Sequence, residues 1–448
     1  MKIKQCLAIF LAAACIGSVA GCSGQTPGPS APGGGQADGN AASGEKVKIV
    51  FTLTDNLATT TNLMIKQFGE GMKRYNQENT TNTVAEVMEI AGTEYYNKIN
   101  AMAAANQLPD LIHTSGGGRM KNYVNAGNYM DLTSYLNADQ TWKDSFIPGI
   151  FSLVEFNGGV YGIPLNQSAS CVFYNTEIFS ANGIEIPSTW SEFLDVCEKL
   201  KNAGIIPIAM SGKDSWAIAL FSAYLSNRIG GNTPFDAIVN GGGNWSDPCF
   251  IQSGLMTKEL FDKGYVQSSS LGDGAGQAEA YVKSGQAAMI IMGSWVIGQL
   301  NAEDSQVAGK MGVFTFPGVD GGAGDPNMWL GKTDNFAVST TSANPDNAVD
   351  FIKFLTSEKF QKDTAEIAGN VPVTRVDIDL TKAPKEFGFL SSELKKSTGL
   401  FNFYDESLGP QIGDEYNNTM QAIVAGAMTP EDAFAALQAY TVDLRATK

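Results

Sequence analysis

Val47-Lys48-Ile49-Val50-Phe51-Thr52-Leu53 is an alternating, β-branched run that reads as a strand, and the fold follows from what comes after it. Met64, Phe68, Met72 and Tyr75 recur at helical spacing, the stripe of a helix that packs back on that strand. A second strand falls near Val84 to Ile90, and a helix carrying Tyr95, Ile99 and Met102 follows. Pro109-Asp110-Leu111-Ile112-His113 then reads as a short strand running into Gly116, Gly117 and Gly118. Strand, helix, strand, helix, strand is a parallel α/β unit with right-handed crossovers. Ligands of such sheets bind beyond the carboxyl ends of the strands. That rule puts the loops at Thr54 to Asn56 and at Thr114 to Gly118 on one rim. The three glycines lack the Walker lysine and the spaced GxGxxG form, so as a phosphate cradle they are weak.

A second α/β unit lies downstream. Val154 to Ile163 reads as a hairpin turned at Asn157-Gly158, and Val172-Phe173-Tyr174 as a strand. Thr189-Trp190-Ser191-Glu192 is a capping-box pattern opening a helix with Phe193, Val196 and Leu200 on one side. Ile206-Pro207-Ile208-Ala209 is a strand, followed by a helix from about Trp216 to Asn227. Asn344-Pro345 and Thr429-Pro430 each place a cap before a proline in the first helical turn. Phe434, Leu437, Tyr440 and Leu444 line the last helix. The reading is an α/β protein of two lobes with appended helices.

Upstream, Lys2 and Lys4 precede an apolar run from Leu7 to Val19, about a dozen residues long. A bilayer span needs about twenty, so residues 1–22 read as a signal peptide. The run ends in Val19-Ala20-Gly21-Cys22, which resembles a bacterial lipobox and makes Cys22 the expected lipidation site. Acyl chains there give a stable membrane anchor. Residues 23–44, with Pro27, Pro29, Pro32 and Gly33-Gly34-Gly35, read as a tether that cannot pack. At the reach of a flexible coil it holds the folded body roughly 25 Å from the membrane.

Composition narrows the functions. The 448 residues carry a formal charge of −16, which argues against nucleic acid, whose phosphates need clustered Lys and Arg. His113 is the one histidine, so an imidazole-based zinc site is disfavoured and a Ser-His-Asp hydrolase would have to use His113 itself. Cys171, Cys197 and Cys249 are an odd, widely spaced set that reads as buried apolar side chains.

Several segments in order resemble the extracellular solute-binding proteins of family 1, the maltodextrin-binding-like class. They are Leu108-Pro109-Asp110-Leu111-Ile112, Tyr161-Gly162-Ile163-Pro164, Phe173-Tyr174-Asn175 with Asn182-Gly183-Ile184, and Pro187 with Thr189-Trp190-Ser191-Glu192-Phe193. Gly285-Gln286-Ala287-Ala288-Met289 leading to Gly293-Ser294-Trp295, then Phe316-Pro317-Gly318 and Val371-Pro372-Val373, complete the series. The resemblance implies a two-lobed, type II periplasmic-binding-protein-like fold whose ligand sits between hinge-linked lobes that close on it. It places lobe one at 45–165 and 331–385 and lobe two at 166–330 and 386–448. It implies a monomeric, lipid-anchored sugar carrier on the extracytoplasmic face of the cell membrane, serving an ABC permease, with no catalysis and no cofactor. A structural calcium ion stays open.

A sugar offers flat apolar faces and a rim of hydroxyls, which aromatic rings and planar polar groups match. The resemblance directs Trp295 to the cleft, with Trp216 and Asp214 after Lys213, and Asn166 and Gln167 at the first crossover. Ser115 (with Thr114) and Asn56 (with Asp55) end strands at the expected rim, and Trp329 lies near the second crossover. Tyr174 and Trp190 read as core. Three alternatives remain: the same fold for an amino acid, peptide or metal; a sensory role; and a glycoside hydrolase, which needs two carboxylates flanking the scissile bond. An amino acid would call for an Arg–Asp clamp, and Arg119 is the only arginine near a rim.

Overall fold

The computed structural model describes residues 46–60, 62–90 and 94–446. The expected leader, Cys22 and the tether lie outside these residues. Eleven strands are present among them: β1 (Val47–Leu53), β2 (Thr83–Glu89), β3 (Leu111–Ser115), β4 (Glu155–Phe156), β5 (Gly159–Val160), β6 (Ile163–Asn175), β7 (Ile206–Ala209), β8 (Ala287–Gly293), β9 (Met311–Phe314), β10 (Met328–Val338) and β11 (Gly399–Phe401). Nine form one mixed sheet with backbone order β2-β1-β3-β10-β6-β8-β7; β9 pairs with β6, and β11 with β10.

The first α/β unit forms as the periodicity predicts. β1 pairs in parallel with β2 and β3, and the helix Leu63–Glu78 buries Met64, Phe68 and Tyr75. β4 and β5 close through Asn157 and Gly158, both at positive φ, which matches a primed hairpin turn. Thr189 and Glu192 make both bonds of a capping box at the start of the helix Trp190–Asn202. Cys171, Cys197 and Cys249 are buried free thiols, and burial pushes each well above the ordinary range.

Three expectations need correction. Thr114 and Ser115 belong to β3, because Asn335 and Asp334 of β10 pair with them; only Gly116 and Gly117 separate that strand from the helix Gly118–Asn125. The Val172–Tyr174 strand is the second half of the 13-residue β6, so Asn166 and Gln167, expected at the first crossover, sit within that strand, beside a register shift at Asp334/Asn335. On the last helix, Pro430–Ala446, Phe434 and Leu437 point inward but Tyr440 is 38% exposed; Thr441, one position on, takes the inward place.

Strands β6 and β10 run antiparallel and pass between separate cores. Ile163 and Leu165 of β6, with Phe336–Val338 of β10, pack with Phe51, Phe68 and Phe351. Val172 and Leu330 pack with Phe193, Tyr224 and Phe316, while Cys171, Phe173 and Trp329 join Ile290 and Leu390 on the other side of the sheet. The stretch between is polar. Lys332, Thr333 and Asp334 of β10 stand opposite Ser168, Gln167 and Asn166 of β6. Two long strands thus carry the chain through a polar waist that neither flanking core claims.

Candidate functional site

At the waist, strand alternation sorts the side chains onto two faces. Lys332 and Asp334 share one face, and their ammonium and carboxylate lie 3.1 Å apart. Lys332 keeps 21% of its side-chain surface open, whereas Asp334 keeps 6%. Burial would lower the Lys332 pKa, but Asp334 and Glu406 outweigh it and hold the group above its ordinary value. Burial likewise works against the Asp334 carboxylate, yet Lys332 and His113 hold its pKa below the usual range. Both groups are therefore ionised on the floor between the cores.

Aromatic side chains stand beside this floor. The Lys332 ammonium lies 5.7 Å from the Trp295 ring centroid, within cation–π range. Trp295 meets Trp216 edge-on, with centroids 6.1 Å apart and planes at 63°, and lies 6.2 Å from Phe403. Trp216 and Trp295 are each only partly buried. Trp295 takes its place because β8 ends at Gly293 and a short 3-10 turn, Ser294–Val296, follows.

From the other core comes Tyr96, on the helix Glu94–Ala104. Its hydroxyl lies near Ser115; burial raises its pKa, with Glu406 adding and Arg119 opposing. The Arg119 guanidinium covers the Tyr96 ring at 4.2 Å, and its Nε donates to Glu406 at 3.0 Å. Glu406 lies on the helix Tyr404–Leu408, whose Tyr404 packs in the core of Tyr224 and Phe316. Floor, wall and platform together offer aromatic faces and charge-assisted hydrogen bonding in one recess.

Of the residues expected at the site, Trp295 and Trp216 come together here. Ser115 is 3% exposed and reaches the recess through Tyr96. The others are engaged by partners of their own. Asp214 accepts from the Ala275 amide at 2.7 Å and so caps the helix Ala275–Lys283. Asn166 stands opposite Asp334 on the face of the floor, but it is 4% exposed and donates to the Met64 sulfur. Gln167, one residue on, faces the opposite side of the sheet and packs against the Val371–Pro372 segment. Asn56 donates to Glu89 and accepts from the Ala58 amide. Trp329, 2% exposed, is a core residue, packed with Cys171, Phe173, Ile290 and Leu390. Arg119 is saturated by carboxylates and is not a free clamp.

Tyr96, Lys332, Asp334, Phe403 and Glu406 were missed. A charged Lys-Thr-Asp interruption in an otherwise apolar strand was the available signal for Lys332 and Asp334. Among the described residues, no group of three or more His, Cys, Asp or Glu side chains is arranged to hold a metal ion, and no helix is long and apolar enough to cross a membrane.

Apolar cores joined by crossing strands, with an aromatic and charged recess between them, define a two-lobed binding protein of the periplasmic type. The family model for bacterial extracellular solute-binding proteins matches residues 52–362, and the chain belongs to that family. A melibiose/raffinose/stachyose-binding protein of Bacillus subtilis is 24% identical over 77% of this chain and 79% of its own length. An uncharacterised extracellular-binding protein of a Pyrococcus horikoshii ABC transporter is 26% identical over 61% of this chain. That match spans 60% of the Pyrococcus protein's length. Among solved structures, a chitin oligosaccharide binding protein is 26% identical with a TM-score of 0.81, over 89% of this chain and all of its own. A protein from work on xylan utilisation by Caldanaerobius polysaccharolyticus is 27% identical, with a TM-score of 0.80 over 88% and 99% of the two chains.

Proposed function

We propose that this chain captures a mono- or oligosaccharide at the waist between its lobes and delivers it to the membrane permease of an ABC importer. The observation that carries the reading is the Trp216–Trp295–Phe403 wall standing over the Lys332–Asp334 floor, with Tyr96 opposite. Aromatic faces match the apolar faces of a pyranose, and a charged pair supplies both donors and acceptors for its hydroxyls. The sugar ligands named for the Bacillus and chitin oligosaccharide relatives support the same class. Lobe one takes 45–165 and 331–385, and lobe two takes 166–330 and 386–448. Cys22 carries the lipid anchor on the extracytoplasmic face, and the protein works as a monomer without a cofactor.

Binding without chemistry fits the carboxylates at the recess. A glycosidase pairs two carboxylates across the scissile bond; here Asp334 is ion-paired with Lys332 and Glu406 with Arg119, and Asp405, pushed up to about 6 by burial and by Glu406, accepts from the Asn417 amide. Among the described residues, the three apolar cores draw their buried members from Ile49 to Leu437, so a chain starting at Gly44 carries all of them. The test is a thermal-shift screen of that chain against mono- and oligosaccharides, with amino acids and divalent metals as controls. A sugar at a hundred times its Kd adds about 2.7 kcal/mol of stability. A response to amino acids or metals alone discards the sugar, and release of a cleaved glycan discards the non-catalytic reading.

A further inference from the structure

Arg119 makes two kinds of contact at once, and they belong to opposite lobes. Its guanidinium lies over Tyr96 of its own lobe, 4.2 Å from the ring centroid. It also bonds across the waist to Glu406 at 3.0 Å and to Asp414 at 3.4 Å. The side chain is 6% exposed and that of Glu406 13%, whereas Asp414 is 64% exposed. Glu406 is therefore the buried partner and Asp414 an outer one. A planar guanidinium can satisfy a carboxylate in its plane while an aromatic ring covers its face, which an ammonium cannot do.

The backbone around Arg119 is shaped for this approach. A β-carbon on Gly118 would lie 2.0 Å from the Ser407 carbonyl oxygen, and one on Gly117 would lie 2.9 Å from the Asn402 amide nitrogen. Gly117 also has φ +79°, where side chains are strained. Both positions admit only glycine while the start of the Gly118–Asn125 helix rests on the Tyr404–Leu408 helix. Gly117 and Gly118, unneeded for phosphate, thus serve close contact between lobes, while Gly116 packs against Leu153 of its own lobe.

We propose that Arg119 is a positioning residue that couples lobe closure to the binding platform: Glu406 captures it when the lobes meet, and the captured guanidinium fixes Tyr96 against the recess. That Tyr96 faces a ligand rests on the sugar-binding reading; the coupling itself does not. An unlatched Arg119 regains rotamer freedom, and the Tyr96 helix loses its cover. In this arrangement the ion pair reports closure, and the Tyr96 ring is rigid only in the closed form.

Hydrogen–deuterium exchange of the ligand-free protein tests this without any sugar. Glu406→Gln keeps the shape and removes the charge; it should speed exchange in 94–104 and 118–125 roughly fivefold, as expected for local opening. Exchange in the core helix 216–230 should stay as in the wild type. Arg119→Lys keeps a cation for Glu406 but loses the flat stack, so 94–104 should open while 118–125 stays protected. Adding Glu406→Gln to Arg119→Lys should not open 94–104 further. Unchanged exchange at 94–104 in Glu406→Gln overturns the coupling. So does acceleration spread evenly over 216–230, which marks plain destabilisation. A sugar screen that fails while these shifts appear removes the binding reading and leaves the latch.

Discussion

The indole of Trp295 lies across Gly293, so close that a β-carbon on the glycine would sit 2.0 Å from the ring. Gly293 has φ −75° and ψ 160°, a conformation any residue adopts. Its lack of a side chain is a matter of space and not of backbone freedom. Gly293→Ala must swing the indole off its seat beside Lys332 and Trp216. The expected result is a fold with wild-type far-ultraviolet dichroism and sugar affinity reduced roughly tenfold, as for a displaced anchor. Calorimetric titration that returns wild-type affinity would show that the seat is not needed.

Removing the ring is the sharper cut. Trp295→Ala should weaken sugar binding by roughly 1.5–3 kcal/mol, since a stacked indole in a desolvated recess is an anchor. Trp216→Ala should cost less, because Trp216 meets Trp295 edge-on and supports it. If the Trp216 variant proves the weaker binder of the two, the roles of wall and support are reversed.

The order of strands and helices was legible because each element carries its own period: the stripe Met64, Phe68, Tyr75 faces inward as expected. Local chemistry was legible too, as in the reciprocal bonds of Thr189 and Glu192. The site was legible only where a resemblance marked it, at Trp295 and Trp216. What stayed hidden depends on pairing between distant segments. Trp329 is buried among Cys171, Phe173, Ile290 and Leu390, which no local pattern around residue 329 announces. Asn166 and Gln167 look alike in sequence, yet the pleat sends them to opposite faces once β6 is continuous. Tyr96, Arg119 and Glu406 meet only after the two lobes are in contact.

The pair on the floor should be more costly to break than to replace. Asp334→Asn leaves the Lys332 ammonium among fewer carboxylates, in a recess where only 21% of its side chain meets solvent. A half-removed buried pair loses several kcal/mol, and partial exposure brings the expectation here to about 2 kcal/mol. Adding Lys332→Met to Asp334→Asn should restore most of that loss, since an apolar replacement of both partners is close to neutral. Urea titration reads this as a midpoint that falls in the single variant and recovers in the double, with the slope unchanged. A double variant no more stable than the single would mean that Lys332 is not held there by Asp334.

His113 sets a pH limit on the fold. Its ring packs beside both Phe68 and Phe336, with centroids 6.1 and 6.0 Å away, and neither ring nitrogen has a hydrogen-bond partner. Burial lowers its pKa; Asp334 and Glu406 pull the other way, and Lys332 adds to the lowering. Protonation is therefore easier in the unfolded chain, where a histidine titrates near 6.5. Above that pH the contribution to stability is complete, and it drains away as pH falls from about 6.5 through the lower folded pKa. The slope reaches at most about 1.4 kcal/mol per pH unit. As the single histidine, His113 can be tested without a second imidazole confusing the result. Denaturation midpoints of wild type and His113→Gln, taken from pH 8 to pH 5, should diverge in slope below about 6.5. The variant should lack the histidine component while carboxylate effects continue in both. Parallel curves across that window would show that His113 takes up its proton in the folded protein as readily as in the unfolded one.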